Sequence, residues 1–216
     1  MRRVTAVVLA YLAEPWLERS VASVLASEEV RADVVLVDNG CTDGAVERLD
    51  GTAGVTVVRP GTNLGFAGGC NFGADHATGE VLALLNGDAV VAPDALAALA
   101  EVAMKPDVGI ATASVRLGDE PHRLNSGGNE IHFLGFSWAG RFGEEAARFV
   151  DERDVLGASG AGMALRRELW GELGGFDARY FAYHEDAELS VRCWQRGLRV
   201  VYVPQAVVIH RYEFSR

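Results

Sequence analysis

The sequence has few cysteines, fewer basic than acidic residues, and no long apolar run. Cys41, Cys70 and Cys193 lie far apart and form no CxxC pair, so neither a disulfide framework nor a zinc ribbon is predicted. The 20 basic and 30 acidic residues give a net charge of -10, which disfavours nonspecific nucleic-acid binding, because such binding neutralises phosphates with Lys and Arg. No stretch reaches the roughly 18 consecutive apolar residues of a membrane span. We therefore expect a cytoplasmic globular protein without a nucleic-acid partner.

Several motifs that would name a site are also absent. The turn after the first apolar run, AYLAEPW from residue 10, has no glycine, whereas an NAD-type Rossmann fingerprint needs glycines there. No GxxxxGK P-loop occurs, and no basic glycine-rich loop follows the first apolar run, as a sugar nucleotidyltransferase would require. The HED at 184–186 does not begin a zinc-protease motif, because position 188 is Glu rather than His. These absences disfavour dehydrogenase, P-loop and zinc-protease functions.

Apolar runs alternate with helical segments through the first half of the chain. The first run is predicted as a strand rather than a signal peptide, because it is short and meets Glu14 and Pro15 instead of a small-residue cleavage site. The predicted strands are 4–10, 33–38, 55–58, 81–85 and 109–114. The predicted helices are 15–26, 43–49, a segment from the glycine-rich stretch 61–73 to about Thr78, and 93–103. This alternation predicts an α/β fold with a mostly parallel central sheet and helices on both faces, and the continuous apolar strands agree with it.

The second half of the chain has a weaker pattern. No clear period runs through residues 116–155. After them, 163–166 indicates a strand, 185–196 a helix ended by Gly197, and 199–203 and 206–210 two strands. No repeat, linker or low-complexity segment divides the chain, so one domain over residues 1–216 is predicted.

Polar residues follow three of the predicted strands at the point where each strand ends. The carboxyl ends of parallel strands form one edge, where such sheets bind ligands. We therefore expect Ala10-Tyr11, Asp38-Asn39 and Asn86-Gly87-Asp88 on one rim. Each has a local alternative, because Tyr11 can belong to the core, Asp38 can cap the turn that follows it, and Asn-Gly is a strong turn pair.

Seven segments, in order over nearly the whole chain, resemble the family 2 glycosyltransferases of the GT-A fold, in their rhamnosyltransferase-like branch. They are VVLAY at 7–11, VVLVDNGCTDG at 34–44, NLGFAGGCNFG at 63–73, LLNGDAVV at 84–91, GAGMALRRELWGELGGFD at 160–177, FAYHEDAELSVRCWQRG at 181–197, and His210. Any one segment is a weak signal, whereas all of them in order form a specific one. The resemblance implies a single-domain, Rossmann-like nucleotide-diphospho-sugar transferase fold, with a nucleotide-sugar-binding half at 1–110 and an acceptor and catalytic half at 111–216.

The resemblance assigns the donor site to the first half. In the family, the aspartate that corresponds to Asp38 accepts a hydrogen bond from the nucleotide base, and a carboxylate suits an imide N–H. Tyr11 is implied as a wall for the base or ribose, although the family usually has Asn at the position of Leu12. Glycines allow close backbone approach, and a helix N-terminus favours phosphate. The implied nucleotide-binding residues are Ala10, Tyr11, Asp38, Asn63, Gly65, Phe66, Asn71, Asn86 and Gly87.

The resemblance also implies a metal site. Asn86-Gly87-Asp88 corresponds to the family's metal motif, with Asp88 as the ligand. His210 is a second candidate ligand, with a structural role as its alternative. The implied cofactor is Mn²⁺ or Mg²⁺, which offsets the charge of a departing diphosphate, and a histidine ligand favours Mn²⁺.

The acid pair Glu185-Asp186 corresponds to the family's catalytic pair. The alternative is a solvated helix start, where acids are favoured by the helix dipole. By motif position Asp186 is the implied base that deprotonates the acceptor hydroxyl, with Glu185 second. A direct displacement inverts the anomeric centre and needs no protein nucleophile. The residues implied to meet the donor sugar and the acceptor are Gly160, Ala161, Gly162 and Met163.

The predicted function is metal-assisted, inverting transfer of a sugar from a dTDP- or UDP-sugar, with dTDP-rhamnose slightly favoured, to an acceptor hydroxyl. A saccharide, a lipid-linked molecule or a small molecule all fit as the acceptor. Peripheral contact with the inner face of the membrane and the oligomeric state stay open. One alternative is a catalytically silent nucleotide-sugar-binding relative, which the presence of Asp38, Asp88 and Asp186 disfavours. Another is a sugar nucleotidyltransferase, which the missing basic loop disfavours.

Overall fold

The computed structural model describes residues 1–212, which are built around a 10-stranded sheet. The strands are β1 (Arg2–Leu12), β2 (Val30–Cys41), β3 (Val55–Val58), β4 (Val81–Asn86), β5 (Ala89–Val91), β6 (Val108–Leu117), β7 (Leu124–Ser126), β8 (Asn129–Ile131), β9 (Ser137–Ala139), β10 (Arg153–Asp154), β11 (Gly162–Arg166) and β12 (Arg199–His210). The helices are α1 (Leu17–Leu25), α2 (Ala45–Leu49), α3 (Gly65–Ala74), α4 (Ala95–Ala103), α5 (Arg167–Leu173) and α6 (Glu185–Gln195). The sheet order is β10-β12-β6-β11-β4-β1-β2-β3, with β5 on β12 and β7 on β6, while β8 and β9 form a separate hairpin.

Helices cover both faces of the sheet, as predicted. The side chains of β1 alternate between two apolar clusters: Val4, Ala6 and Val8 belong to one, and Val7 and Leu9 to the other. The first cluster is completed by α1, α2 and α4, and the second by α3, α5 and α6. Because both faces are covered, the central strands are apolar at nearly every position, which explains their continuous runs in the sequence. Within the described residues, no helix is long and apolar enough to cross a membrane.

The parallel register confirms the predicted rim. β1 runs parallel to β2 and β4, with Ala10 opposite Asp38 and Leu9 opposite Asn86. β11 is antiparallel and lies between β4 and β6, with Gly162 opposite Leu85. Because an antiparallel strand begins where its neighbour ends, the residues just before β11 join the same rim.

Several predicted helix bounds were wrong. α2 and α4 begin at Ala45 and Ala95, each two residues later than predicted. α1 begins at Leu17, which leaves Pro15 outside the helix. α3 ends at Ala74 rather than near Thr78. The predicted end of α6 is confirmed, because Gly197 has a φ of +74° just beyond the helix.

The two strands predicted at 199–203 and 206–210 are one strand, β12. Its register against β6 shifts between Val203 and Val207. Pro204 lies in that interval and has no N–H to donate to the ladder, so the interruption in the pattern marks a bulge and not the end of a strand. The segment of weak pattern holds the short strands β7 to β10.

Candidate functional site

Asp38 lies on the rim, and its two oxygens have different surroundings. Oδ1 accepts hydrogen bonds from the backbone N–H of Gly40 at 3.3 Å and of Cys41 at 3.1 Å. Oδ2 lies 3.6 Å from Nε of Arg59. The ring of the half-exposed Tyr11 stands beside Gly40, 3.8 Å from where a Cβ would be. Oδ1 therefore caps the turn, whereas Oδ2 faces a basic side chain.

Asn39 joins the end of β2 to the glycine-rich segment. Its Nδ2 donates to Oδ1 of Asn63 at 3.0 Å and to the carbonyl of Gly65 at 3.1 Å, and its Oδ1 accepts from the N–H of Leu64 at 2.9 Å. Asn63 also accepts from the N–H of Gly65 at 2.8 Å. The buried Asn39 thus holds two of the expected nucleotide-binding residues in place. The sequence-based site set omitted it, although it stands inside one of the matching segments.

Other residues of the protein accept hydrogen bonds from some of the backbone N–H groups at the start of α3. Gly65 has a φ of +71°, and a Cβ there would collide with the carbonyl of Phe181. The same carbonyl accepts a hydrogen bond from the N–H of Ala67 at 3.0 Å. Because Asn63 and Phe181 already use amides of the first turn, the helix offers fewer free N–H groups to a phosphate than the sequence predicts.

Asn71 and Phe66 face the second half of the chain. The Asn71 amide donates to the carbonyl of Phe176 at 2.8 Å and accepts from its N–H at 2.9 Å. Phe66 lies 6.1 Å from the Phe176 ring, and its edge is 3.1 Å from where a Cβ on Gly160 would stand. Asn71 therefore braces the backbone of Phe176, while Phe66 borders the segment that precedes β11.

The turn between β4 and β5 faces the end of β12. Asp88 Oδ1 lies 3.1 Å from Nε2 of His210, and Asn86 Nδ2 lies 3.0 Å from the same nitrogen. Gly87 lies so close to β1 that a Cβ would be 2.5 Å from the carbonyl oxygen of Leu9. The Asn-Gly pair therefore forms a turn, and this turn places the two candidate metal ligands, Asp88 and His210, side by side.

The donor set of this turn fits a divalent cation. Oδ1 of Asn125 lies 3.0 Å from Nδ1 of His210, and Nδ2 of Asn86 lies 3.0 Å from Nε2. The tautomer with its proton on Nδ1 satisfies both contacts, and histidine ligands usually donate their other ring N–H in this way. Burial, and then the charge of Asp88, raises the pKa of the nearby Glu14 to about 7. Among residues 1–212 no group of at least three His, Cys, Asp or Glu side chains is arranged so that it could hold a metal ion. A diphosphate would therefore have to supply the remaining ligands.

Asp186 lies in the first turn of α6, and its carboxylate is held on both oxygens. Oδ2 accepts from the N–H of Gly160 at 2.9 Å and from Nδ2 of Asn129 at 3.2 Å, and Oδ1 accepts from the N–H of Ala187 at 2.7 Å. Burial raises the pKa of Asp186, while the N–H groups of Gly160 and Ala187 oppose the rise. A carboxylate with a raised pKa and a fixed orientation suits a general base. Asn129 was missed because it stands in the segment without a clear period.

Glu185 is in the interior of the protein. Its side chain is 4% exposed, and Oε2 has no hydrogen-bond partner among the described residues. Burial, and then the charge of Asp186, raises the pKa of Glu185 to about 7. Burial together with Glu185 also raises the pKa of the Cys70 thiol well above its usual value. The solvated-helix-start alternative is therefore wrong for Glu185.

The segment from Gly160 to Met163 is buried along its whole length. Gly160 reaches the rim and holds Asp186 through its N–H. Met163 is fully buried in the core, and Ala161 is only 8% exposed. Ala10, the first expected residue of the donor rim, is also fully buried. A sugar could therefore meet the backbone at Gly160, but not the side chain of Met163.

Residues 2–215 match the family described as glycosyltransferase like family 2. The N-acetylglucosaminyl-diphospho-decaprenol L-rhamnosyltransferase of Mycobacterium tuberculosis is 30% identical over 238 residues, which cover 97% of this chain and 76% of that protein. The O-antigen biosynthesis protein RfbC of Myxococcus xanthus is 34% identical over 154 residues, which cover 68% of this chain and 12% of that protein.

Solved structures share the fold. GalNAc-T7 with UDP, GalNAc and Mn²⁺ superposes with a TM-score of 0.80 at 23% identity, over 98% of this chain and 44% of that one. The mannosyltransferase PcManGT from Pyrobaculum calidifontis, in complex with GDP-Man and Mn²⁺, gives 0.73 at 23% identity, over 99% of this chain and 58% of that one. The chain thus spans about half the length of these two proteins. Their likeness confirms the predicted GT-A fold.

Proposed function

The chain belongs to the family 2 glycosyltransferases, and on this premise we propose that it moves a sugar from a nucleotide-diphosphate donor to an acceptor hydroxyl with inversion at the anomeric carbon. One observation gives this proposal its main support. Gly162 lies opposite Leu85, so Gly160, which holds Asp186, comes to the rim where β4 ends at Asn86. The candidate base and the candidate metal turn therefore lie at the same edge of the sheet.

Asp186 would take the proton of the acceptor hydroxyl as its oxygen attacks the anomeric carbon. The N–H of Gly160 and the amide of Asn129 keep one carboxylate oxygen fixed, which orients the other. A single displacement inverts the configuration and requires no nucleophile from the protein. A divalent cation, Mn²⁺ or Mg²⁺, held by Asp88 and His210 would offset the charge of the departing diphosphate.

We assign the donor base to the end of β2. Asp38 Oδ2 can accept the imide N–H of uracil or thymine, and the exposed ring of Tyr11 offers a stacking face. Asn63 and Gly65 would border the nucleotide through the loop that Asn39 holds. A dTDP- or UDP-sugar is the proposed donor, and dTDP-rhamnose is favoured because the Mycobacterium tuberculosis relative is named a rhamnosyltransferase.

We assign the acceptor to the second half of the chain, residues 111–216, and the donor to residues 1–110. The named substrate of the Mycobacterium tuberculosis relative carries diphospho-decaprenol. A lipid-linked acceptor is therefore the proposed class here, with the enzyme working at the inner face of the membrane.

Calorimetric titration with UDP, dTDP, GDP and ADP, each with and without Mn²⁺, tests the donor assignment. We expect binding of UDP or dTDP that Mn²⁺ strengthens. Binding of GDP alone would reject the proposed donor class, and binding of none of the four would reject the proposed site. Binding without turnover would favour the catalytically silent alternative, and pyrophosphate release from a nucleoside triphosphate and a sugar phosphate would favour the nucleotidyltransferase.

A further inference from the structure

The hairpin formed by β8 and β9 exposes large apolar side chains at its end, in residues 132–138, here called the apolar tip. Phe133, Leu134 and Phe136 are 88%, 66% and 65% exposed, and Trp138 is 54% exposed. The His132 ring lies 4.3 Å from the Phe133 ring and 6.5 Å from the Phe136 ring, between centroids. Single exposed apolar residues are ordinary on a protein surface, but a group of them on one hairpin indicates an interaction site.

A groove of about 470 Å³ continues from the apolar tip along α6. Ile131 and Phe133 line it on the hairpin side, and Val191 and Trp194 line it on the helix side. On a helix that rises 1.5 Å per residue, these two helical positions lie roughly 8 to 12 Å beyond Asp186. The groove therefore lies beside the same helix as the candidate base, further along it.

The same hairpin is fixed at its inner end to the candidate base and at its outer end to the residue that precedes α6. Asn129, the first residue of β8, donates to Asp186 Oδ2 at 3.2 Å and to the carbonyl of Ala158 at 2.8 Å. Ser137 Oγ in β9 lies 2.7 Å from Nδ1 of His184, which precedes α6. One short element thus connects the candidate base with an exposed apolar surface.

We propose that the apolar tip rests in the interfacial region of a lipid bilayer and so brings Asp186 to an acceptor carried by that bilayer. This inference rests on the proposed function, in which the acceptor is lipid-linked. Aromatic rings and a leucine beside polar groups such as His132 and Ser137 suit the boundary between headgroups and acyl chains. A second copy of the chain fits less well, because pairing through the tip would cover the groove beside α6.

Co-sedimentation with vesicles of phosphatidylethanolamine and phosphatidylglycerol in equal parts tests the proposal without donor or acceptor, so the result does not depend on turnover. We expect the wild-type protein to bind. The combined Phe133→Ser, Leu134→Ser and Phe136→Ser variant should lower vesicle partition at least about tenfold, because three apolar side chains lose their place in the interface. Val150→Ser is the matched control, since Val150 is 61% exposed and lies outside the hairpin, and it should leave partition unchanged.

Fluorescence gives a second measurement that does not depend on the triple variant. Vesicles should shift the emission of the wild-type protein to shorter wavelength, and Trp138→Phe should reduce that shift. Circular dichroism verifies that each variant is folded. Wild-type protein that stays in the supernatant, or a folded triple variant that sediments equally well, would overturn the proposal. So would gel filtration that shows a wild-type dimer and a monomeric triple variant, because the tip would then bind a second copy. Vesicle binding by a protein that binds no nucleotide would instead count against the proposed function alone.

Discussion

Asp186 and Glu185 are consecutive residues, yet their carboxyl groups meet different surroundings. Neighbours on an α-helix point about 100° apart, so one side chain reaches the rim and the other enters the interior. Asp186 is held by the N–H groups of Gly160 and Ala187 and by Asn129, whereas Glu185 has an oxygen without a partner among the described residues. The acid pair that the sequence presents as a unit thus separates into one candidate base and one buried acid.

Asp186→Asn should abolish most of the turnover. The amide keeps the size of the side chain but cannot take a proton, and general-base catalysis contributes about 10² to 10⁴-fold. Initial rates of sugar transfer measure the loss, and calorimetry should show unchanged nucleotide binding. Glu188→Gln is the control on the same helix, where the carboxylate pairs with Arg192, and it should keep its activity. An Asp186→Asn protein with full turnover would remove Asp186 from the mechanism.

Glu185→Gln should change how stability depends on pH. The pKa of Glu185 rises from 4.5 to about 7 in the folded state, so between these values the folded protein holds more protons than the unfolded one, and stability falls as the pH rises. Glutamine removes this ionisation cost. Urea unfolding measures the free energy of unfolding of both proteins. From about pH 5 to pH 8, the difference between them should change by about 2 to 3 kcal/mol in favour of the variant. A difference that is constant across this range would mean that Glu185 ionises freely in the folded state.

At the scale of elements, α3 packs on the sheet through glycine. A Cβ on Gly73 would lie 2.5 Å from Val7 Cγ1 and 2.8 Å from Val37 Cγ2, whereas a Cβ on Gly171 in α5 would meet nothing within 4 Å. The two helices therefore use glycine for different reasons. Only α3 needs the absence of a side chain to reach β1 and β2.

Gly73→Ala should lower the free energy of unfolding by about 1 to 3 kcal/mol, because the added methyl group forces α3 away from the sheet. Gly171→Ala is the control for the same chemical change in an open helical position. It should raise the free energy of unfolding by about 0.5 to 1 kcal/mol, since alanine has less backbone entropy to lose. Urea midpoints of both variants check the opposite signs, and equal destabilisation would contradict the packing argument.

The elements that the sequence predicted well are those with a strong local pattern. The run at 81–85 is apolar throughout because β4 is buried on both faces. The direction of β11 was not predictable, because the short, mostly apolar segment 163–166 fits a parallel or an antiparallel strand equally well. Strands of three residues, such as β8 and β9, are too short to show a period. Asn129 was missed for a further reason, since its bond to Asp186 joins positions 57 residues apart.

At the scale of the whole molecule, the proposed metal site joins distant parts of the chain. Asp88 in the turn after β4 meets His210 at the end of β12, and its carbonyl accepts a hydrogen bond from the N–H of Arg211 at 3.1 Å. A ligand bound there would hold the two regions together. Binding and global stability should therefore be linked.

Mn²⁺ with UDP or dTDP should raise the free energy of unfolding, by about 2.7 kcal/mol at a ligand concentration of 100 times Kd. Asp88→Asn should keep the part of this gain that the nucleotide gives alone and lose the part that Mn²⁺ adds. Asp94→Asn is the control, because Asp94 is an exposed aspartate before α4. Thermal unfolding with each ligand combination measures these gains, and a Mn²⁺ increment that survives in Asp88→Asn would place the cation elsewhere.

The position of β11 also has a consequence for synthesis on the ribosome. β11 lies between β4 and β6 but follows both in the chain. Each of those strands therefore presents an open edge until Arg166 has been translated. At about 5 to 20 residues per second, the interval after β6 lasts roughly 3 to 10 s. Open edges recruit other strands, so the nascent chain depends on whatever shields these two edges while translation continues.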